Sequence, residues 1–299
     1  LAASMFRVFL LLSAIATALL PGTAAFAQVN ALDFRPLDAE YSRALDRIVA
    51  VAEGPNRLLI YDPVTRAKQT VALDRAPLSL SVSPNGQHAA VGHDGTFSYV
   101  NLTTATLERT YTTSRLGSRV ALGSAWVYVF PSIQSETPAA IALANGSITA
   151  SGSGSWGASF PRLHPSEKAI YHTRDGVSPN DVERKDVQTG PITGTRDSPY
   201  HGDYPLCGGI WYSLDGSRIY TGCGTTLRYS EQTAVDMTYL ATLPARPRSL
   251  AESEVRDLIA VVPQLSSSSS TPDPDGDTVI RLFGRASFQG AGALRLSPF

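Results

Sequence analysis

Beyond residue 28 the chain alternates short apolar runs with clusters of Ser, Pro, Asp, Asn and Gly, without the three-to-four-residue spacing of an amphipathic helix. Leu78-Ser79-Leu80-Ser81-Val82 leads into Ser83-Pro84-Asn85-Gly86, then His88-Ala89-Ala90-Val91-Gly92, then Phe97-Ser98-Tyr99-Val100-Asn101-Leu102. Pro presets φ and Gly tolerates positive φ at such a turn, so the first two runs read as a tight hairpin. The same order returns as Ile210-Trp211-Tyr212, Ser213-Leu214-Asp215-Gly216, Arg218-Ile219-Tyr220-Thr221-Gly222 and Thr226-Leu227-Arg228-Tyr229. Another copy passes through His164-Pro165-Ser166-Glu167 into Ala169-Ile170-Tyr171, and the earliest joins Arg47-Ile48-Val49-Ala50-Val51 to Arg57-Leu58-Leu59-Ile60-Tyr61-Asp62. Weaker copies lie at Ala125-Trp126-Val127-Tyr128-Val129 and Asp257-Leu258-Ile259-Ala260-Val261.

The second strands of these units begin at 47, 88, 125, 168, 218 and 257, in steps of 41, 37, 43, 50 and 39. Short β-branched and aromatic strands at a period near 40 predict an all-β chain of four-stranded propeller blades. One blade cannot cover both its faces, so blades stack around an axis and shield one another in a single domain over 28–299. A β-sandwich is the alternative, although it does not repeat one turn at one interval. Six repeats are visible. Ala293-Leu294-Arg295-Leu296 reads as a fresh strand after them, which favours a truncated or partly open seven-bladed ring. Otherwise six blades close, with the segment Leu32 to Leu45 completing one of them.

Ser83-Pro84-Asn85-Gly86, the following apolar strand and Phe97 to Leu102 resemble the YVTN-type propeller repeat, as do Ile60-Tyr61-Asp62-Pro63-Val64-Thr65 and, nearest its naming motif, Tyr220-Thr221. The naming motif is intact in no blade. The resemblance implies a propeller from a bacterial, secreted group that includes lactonase-like enzymes and parts of quinoprotein-like dehydrogenases.

Ahead of the repeats, Met5 is followed by Arg7, the apolar run Val8 to Leu20, Pro21-Gly22 and Ala25-Phe26-Ala27. This order predicts a signal peptide within 1–27, cut between Ala27 and Gln28, and hence a periplasmic or extracellular product. The run is well short of the ~20 residues that span a bilayer. Lipid attachment would require a cysteine at the cut, whereas the two cysteines are Cys207 and Cys223.

Charge narrows the functional classes. The 25 Lys and Arg against 26 Asp and Glu give a net charge of -1. Such a balance supplies no field for a nucleic acid or an acidic membrane surface. No Gly-x-Ser-x-Gly elbow and no phosphate-binding Gly-rich loop with its Lys occurs.

Three local features carry candidate chemistry. If Ser213 and Ser217 flank a three-residue turn, facing residues have numbers summing to 430, as 207 and 223 do, which predicts a Cys207–Cys223 disulfide in an oxidising compartment. Asp273, Asp275 and Asp277 alternate around Gly276 and are candidate ligands for a divalent cation such as calcium; the sequence suggests no other cofactor. The twelfth position that an EF-hand fills with Glu is Gly284, so a solvated loop is the competing reading. His201, Asp203 and Tyr204 are candidate ligand residues of a central funnel. Together these features point to a monomeric binding or interaction scaffold for a protein or a small molecule, neither bound to nucleic acid nor embedded in a membrane. The alternative is a metal-assisted, lactonase-like hydrolase with its site in the funnel.

Overall fold

A computed structural model describes residues 32–295 apart from 114, 117–118, 133–135, 152–159, 175, 177 and 265–278. Its 24 strands form six four-stranded antiparallel sheets, each built from four consecutive strands. The sheets are the six blades of a β-propeller, spanning 38–72, 79–112, 119–150, 162–197, 210–242 and 247–295. From blade 1 to blade 6 the inner strands are Asp38–Ser42, Ser79–Val82, Arg119–Leu122, Arg162–Leu163, Ile210–Tyr212 and Pro247–Ser253.

The seven-bladed expectation is corrected. Asp38–Ser42 supplies the inner strand of blade 1, pairing with Arg47–Ala52. Gly290–Arg295 does not start a seventh unit, because it pairs with Val279–Gly284 as the outer strand of blade 6. The long connection between Leu258–Pro263 and Val279–Gly284 displaces the last two strands along the sequence, which is why the final one reads as new.

The recurring turn forms a small hydrogen-bonded unit. In blade 2 the Ser83 amide donates to the His88 carbonyl at 2.9 Å, and the Ser83 hydroxyl accepts from the His88 amide at 3.0 Å. Asn85 accepts from the Gln87 amide, and Gly86 takes φ 71°. Blade 5 repeats this with Ser213, Asp215, Gly216 and Arg218. The turn therefore holds four residues rather than three, and Ile210 faces Thr221 in a register summing to 431. Gly208, at φ 75°, absorbs the difference: Gly222 donates to Gly209, but Cys223 donates to Cys207. That local shift puts the two cysteines opposite each other, and they are joined, with Cα atoms 5.2 Å apart.

The core lies between blades. Val49, Val51, Leu58 and Ile60 of blade 1 pack on Leu80, Val91 and Val100 of blade 2. Four further clusters repeat this across the next junctions. The opposite side of blade 1 buries Ala50 and Leu59, and the side of blade 6 turned away from blade 5 buries Ala260 and Ile280. Both faces of the last junction are thus removed from water, which is how the ring gains the apolar burial that holds it.

Candidate functional site

Each inner strand has one edge turned toward the axis, and an unpaired edge amide is costly out of water. Polar side chains of the preceding blade meet several of these amides. Asp38 accepts from the Leu80 amide at 2.9 Å and Glu40 from the Val82 amide at 2.8 Å. Ser79 and Ser81 accept from Val120 and Leu122 at 3.1 and 3.0 Å. Farther round, Glu252 of blade 6 accepts from the Leu214 amide at 3.0 Å and from the Tyr220 hydroxyl, and pairs with Arg285. The alternation of these residues follows from the period of two in a strand, which sends every second side chain toward the same neighbour.

These strands and their turns surround a cavity of about 790 Å³, lined by residues from all six blades. Its charged walls are Glu40, Arg43, Arg162 and Glu252. Glu40 of blade 1 forms an ion pair with Arg162 of blade 4, and blades 1 and 4 are opposite in a ring of six. The pair is a strut across the axis. Burial lowers the Arg43 pKa, opposed by Tyr41 and by Glu252, so Arg43 of blade 1 and Glu252 of blade 6 share one electrostatic environment.

A smaller cleft of about 150 Å³ opens where the inner strands of blades 1 to 4 begin. Leu37, Leu78 and Phe160 stand around it, with Asp38, Arg119 and Arg162. The Arg119 guanidinium lies over the Phe160 ring, 3.8 Å from its centroid. Burial lowers the Arg119 pKa, with Asp38 opposing it.

A second polar centre is closed inside blades 4 and 5. Asp236 accepts from Tyr171, Arg184, Arg196 and the Ser230 amide. On the other face of the blade 4 sheet, toward Phe130 of blade 3, His172, Glu183 and Lys185 are connected through the Glu183 carboxylate, and Lys185 also reaches Thr195 at 3.2 Å. Burial would raise the Glu183 pKa, but hydrogen bonds from His172 and Lys185 reverse this and bring it down to about 2. All of these acids and bases are committed to one another. They hold the fold instead of facing a ligand.

Of the residues read as funnel candidates, His201, Asp203 and Tyr204 lie together but line neither opening. The His201 main-chain amide donates to the Asp203 carboxylate at 3.1 Å. Tyr204 stacks on Tyr239, on the outer strand of blade 5, at 4.3 Å, with Tyr200 edge-on to it. Asp273, Asp275 and Asp277 lie outside the described residues. Among the described residues no three His, Cys, Asp or Glu side chains converge as a metal site. Glu40, Arg119, Arg162 and Glu252 were not singled out from the sequence. The available signal was charge within strands whose other residues are apolar, as in Asp38-Ala39-Glu40-Tyr41-Ser42.

No protein-family model matches the sequence, and no curated protein matches it. Solved structures do. The chain is similar to Kuenenia stuttgartiensis hydrazine synthase, with 13% identity and a TM-score of 0.57 over 94% of this chain and 99% of that one. It is also similar to the β-propeller domain of Myceliophteria thermophila Cps50 (Swd1), with 10% identity and a TM-score of 0.61 over 88% of this chain and 87% of that domain. The likeness is one of fold. Function has to be argued from the site.

Proposed function

We propose that this chain is an exported β-propeller that serves as a binding scaffold, presenting the rims of its axial openings to a partner. The observation that carries the reading is the cavity of about 790 Å³ to which all six blades contribute, with Glu40 and Glu252 already engaged in hydrogen bonds and ion pairs between blades. A wall held in this way is stiff, and a stiff ring displaying turns is suited to recognition at low entropic cost. The Cys207–Cys223 bond supports export, since such bonds persist in oxidising compartments. Among the described residues no helix is long and apolar enough to cross a membrane. The Ser-Pro-Asn-Gly turn and the Tyr220-Thr221 strand, similar to the secreted YVTN-type repeat, support the same reading.

The test is photo-crosslinking in intact cells, with a photoreactive residue replacing Asn85 or Leu214 at the rim and, as a control, Gln69 or Thr70 on the outer strand of blade 1. Discrete adducts from the rim positions alone are expected. Adducts no more frequent at the rim than on the outer strand would remove the scaffold reading. Saturable lactone hydrolysis lost on chelation would put the metal-assisted hydrolase in its place.

A further inference from the structure

The cleft at the start of the inner strands has an arginine without a matching acceptor. Among the described residues the Arg119 guanidinium makes no hydrogen bond and no ion pair. It meets the face of Phe160 and feels the charge of Asp38. Stacking uses the flat face of a guanidinium and leaves its in-plane N–H groups for an acceptor. Asp38 does not fill that role. It makes no ion pair or hydrogen bond with Arg119, and its oxygens accept from the Ala39 and Leu80 amides, each at 2.9 Å. Arg162, the other cation of the cleft, is held by Glu40 below it. A partly exposed guanidinium whose in-plane N–H groups face only water can exchange that water for charge-assisted hydrogen bonds to an anion supplied from outside.

The surroundings define what else the anion must carry. Leu37, Leu78 and Phe160 are 51%, 39% and 37% exposed, although each is large and apolar, and all three border this cleft. Leu37 and Leu78 immediately precede the inner strands of blades 1 and 2, and Phe160 stands two residues before that of blade 4. Because all inner strands run in the same sense, these positions form an apolar collar at one end of the axis. The volume of about 150 Å³ equals the space of roughly five waters, enough for a carboxylate and a few carbons.

We infer that this cleft binds a small organic acid with an apolar tail, its carboxylate on Arg119 and its hydrocarbon among Leu37, Leu78 and Phe160. This deepens the scaffold reading by naming a ligand class for one of the axial openings, and it rests on that reading.

The probe is butyrate, titrated calorimetrically into the full chain with its disulfide intact, beside the neutral amide of the same acid. One saturable site is expected, with the amide weaker by about tenfold or more. Arg119→Met and Phe160→Ala should each weaken the acid by about tenfold, and Arg228→Met, on the third strand of blade 5, should leave it unchanged. Circular dichroism and melting of each variant establish that it is folded. Equal binding of acid and amide, or undiminished binding by folded Arg119→Met, would overturn the inference. So would a peptide ending in a free Phe that binds about tenfold tighter than the free acid, since the occupant would then be a polypeptide end. Rim crosslinks without acid binding would sink this inference alone, whereas acid binding without rim crosslinks would remove the scaffold reading and leave the acid site standing.

Discussion

His93 and His164 show how single residues set the response of the ring to acid. His93 places its ring nitrogens 2.9 Å from the Ala76 carbonyl and 2.9 Å from the Ser98 hydroxyl. His164 stacks on Tyr229, lies 2.8 Å from the Gly216 carbonyl through Nε2 and accepts from the Ser166 amide through Nδ1. These partners define His164 as the neutral Nε2–H tautomer. Burial lowers the pKa of both rings. The unfolded chain therefore takes up these protons first as pH falls below about 6.5, and the folded state loses stability from there downward. Glu183, held at about 2, adds a later loss as pH falls from 4.5 toward 2, because its stabilising contribution is present only above the unfolded value. Asp181, raised by burial, acts in the opposite direction. The urea midpoint of the native chain should fall between about pH 7 and about pH 5, and fall less in His164→Gln and His93→Gln. The same drop in both variants would show that other groups dominate.

At the scale of the element, the hairpin of blade 5 separates what the sequence could convey from what it could not. The Ser-x-Asp-Gly turn was visible because Ser213, Asp215 and Gly216 are chosen by backbone geometry that any isolated hairpin shares. The extra residue at Gly208 was not visible, because it depends on where the chain enters the blade. The cysteine pairing was thus anticipated correctly from a register that differs by one. The buried middle strands of the blades were legible as apolar runs, while the exposed outer strands, such as Lys68–Ala72 and Tyr239–Thr242, and the axial wall were not. Glu40, Arg119 and Arg162 acquire their relation only when blades 1, 3 and 4 meet around the axis, a contact that no local pattern encodes. The direction of the loop carrying His201 was not legible either, and in the fold its Tyr204 stacks on Tyr239. Removing the crosslink by Cys207→Ser with Cys223→Ser should cost up to ~3 kcal/mol, for a sequence separation of 16. The accompanying amide exchange should rise around 205–209 and 222–224 and remain slow in blades 1 to 3. Gly222→Ala provides a sharper probe of the same place, since an added Cβ would come 2.9 Å from the Gly208 Cα and from the Gly209 nitrogen.

For the whole molecule, the decisive trait is that, among the described residues, each of the six sheets consists of four consecutive strands, so no sheet combines the first described strand with the last. At the junction of blades 1 and 6 the facing side chains, such as Ala50, Leu59, Ala260 and Ile280, are all buried. A permuted chain that joins residue 295 to residue 38 through a flexible linker and opens between 75 and 76 should therefore keep every ladder and melt cooperatively, near the native temperature. Noncoincident melting of near- and far-ultraviolet signals in the permuted chain would argue that the native order of blades is itself needed for closure. The same trait bears on how such a ring changes over generations. Where one uninterrupted stretch makes one blade, an in-frame duplication or loss of about forty residues adds or removes a complete, already paired unit. The junctions then need only new side-chain packing, so ring size is open to variation by copying while strand order is inherited intact.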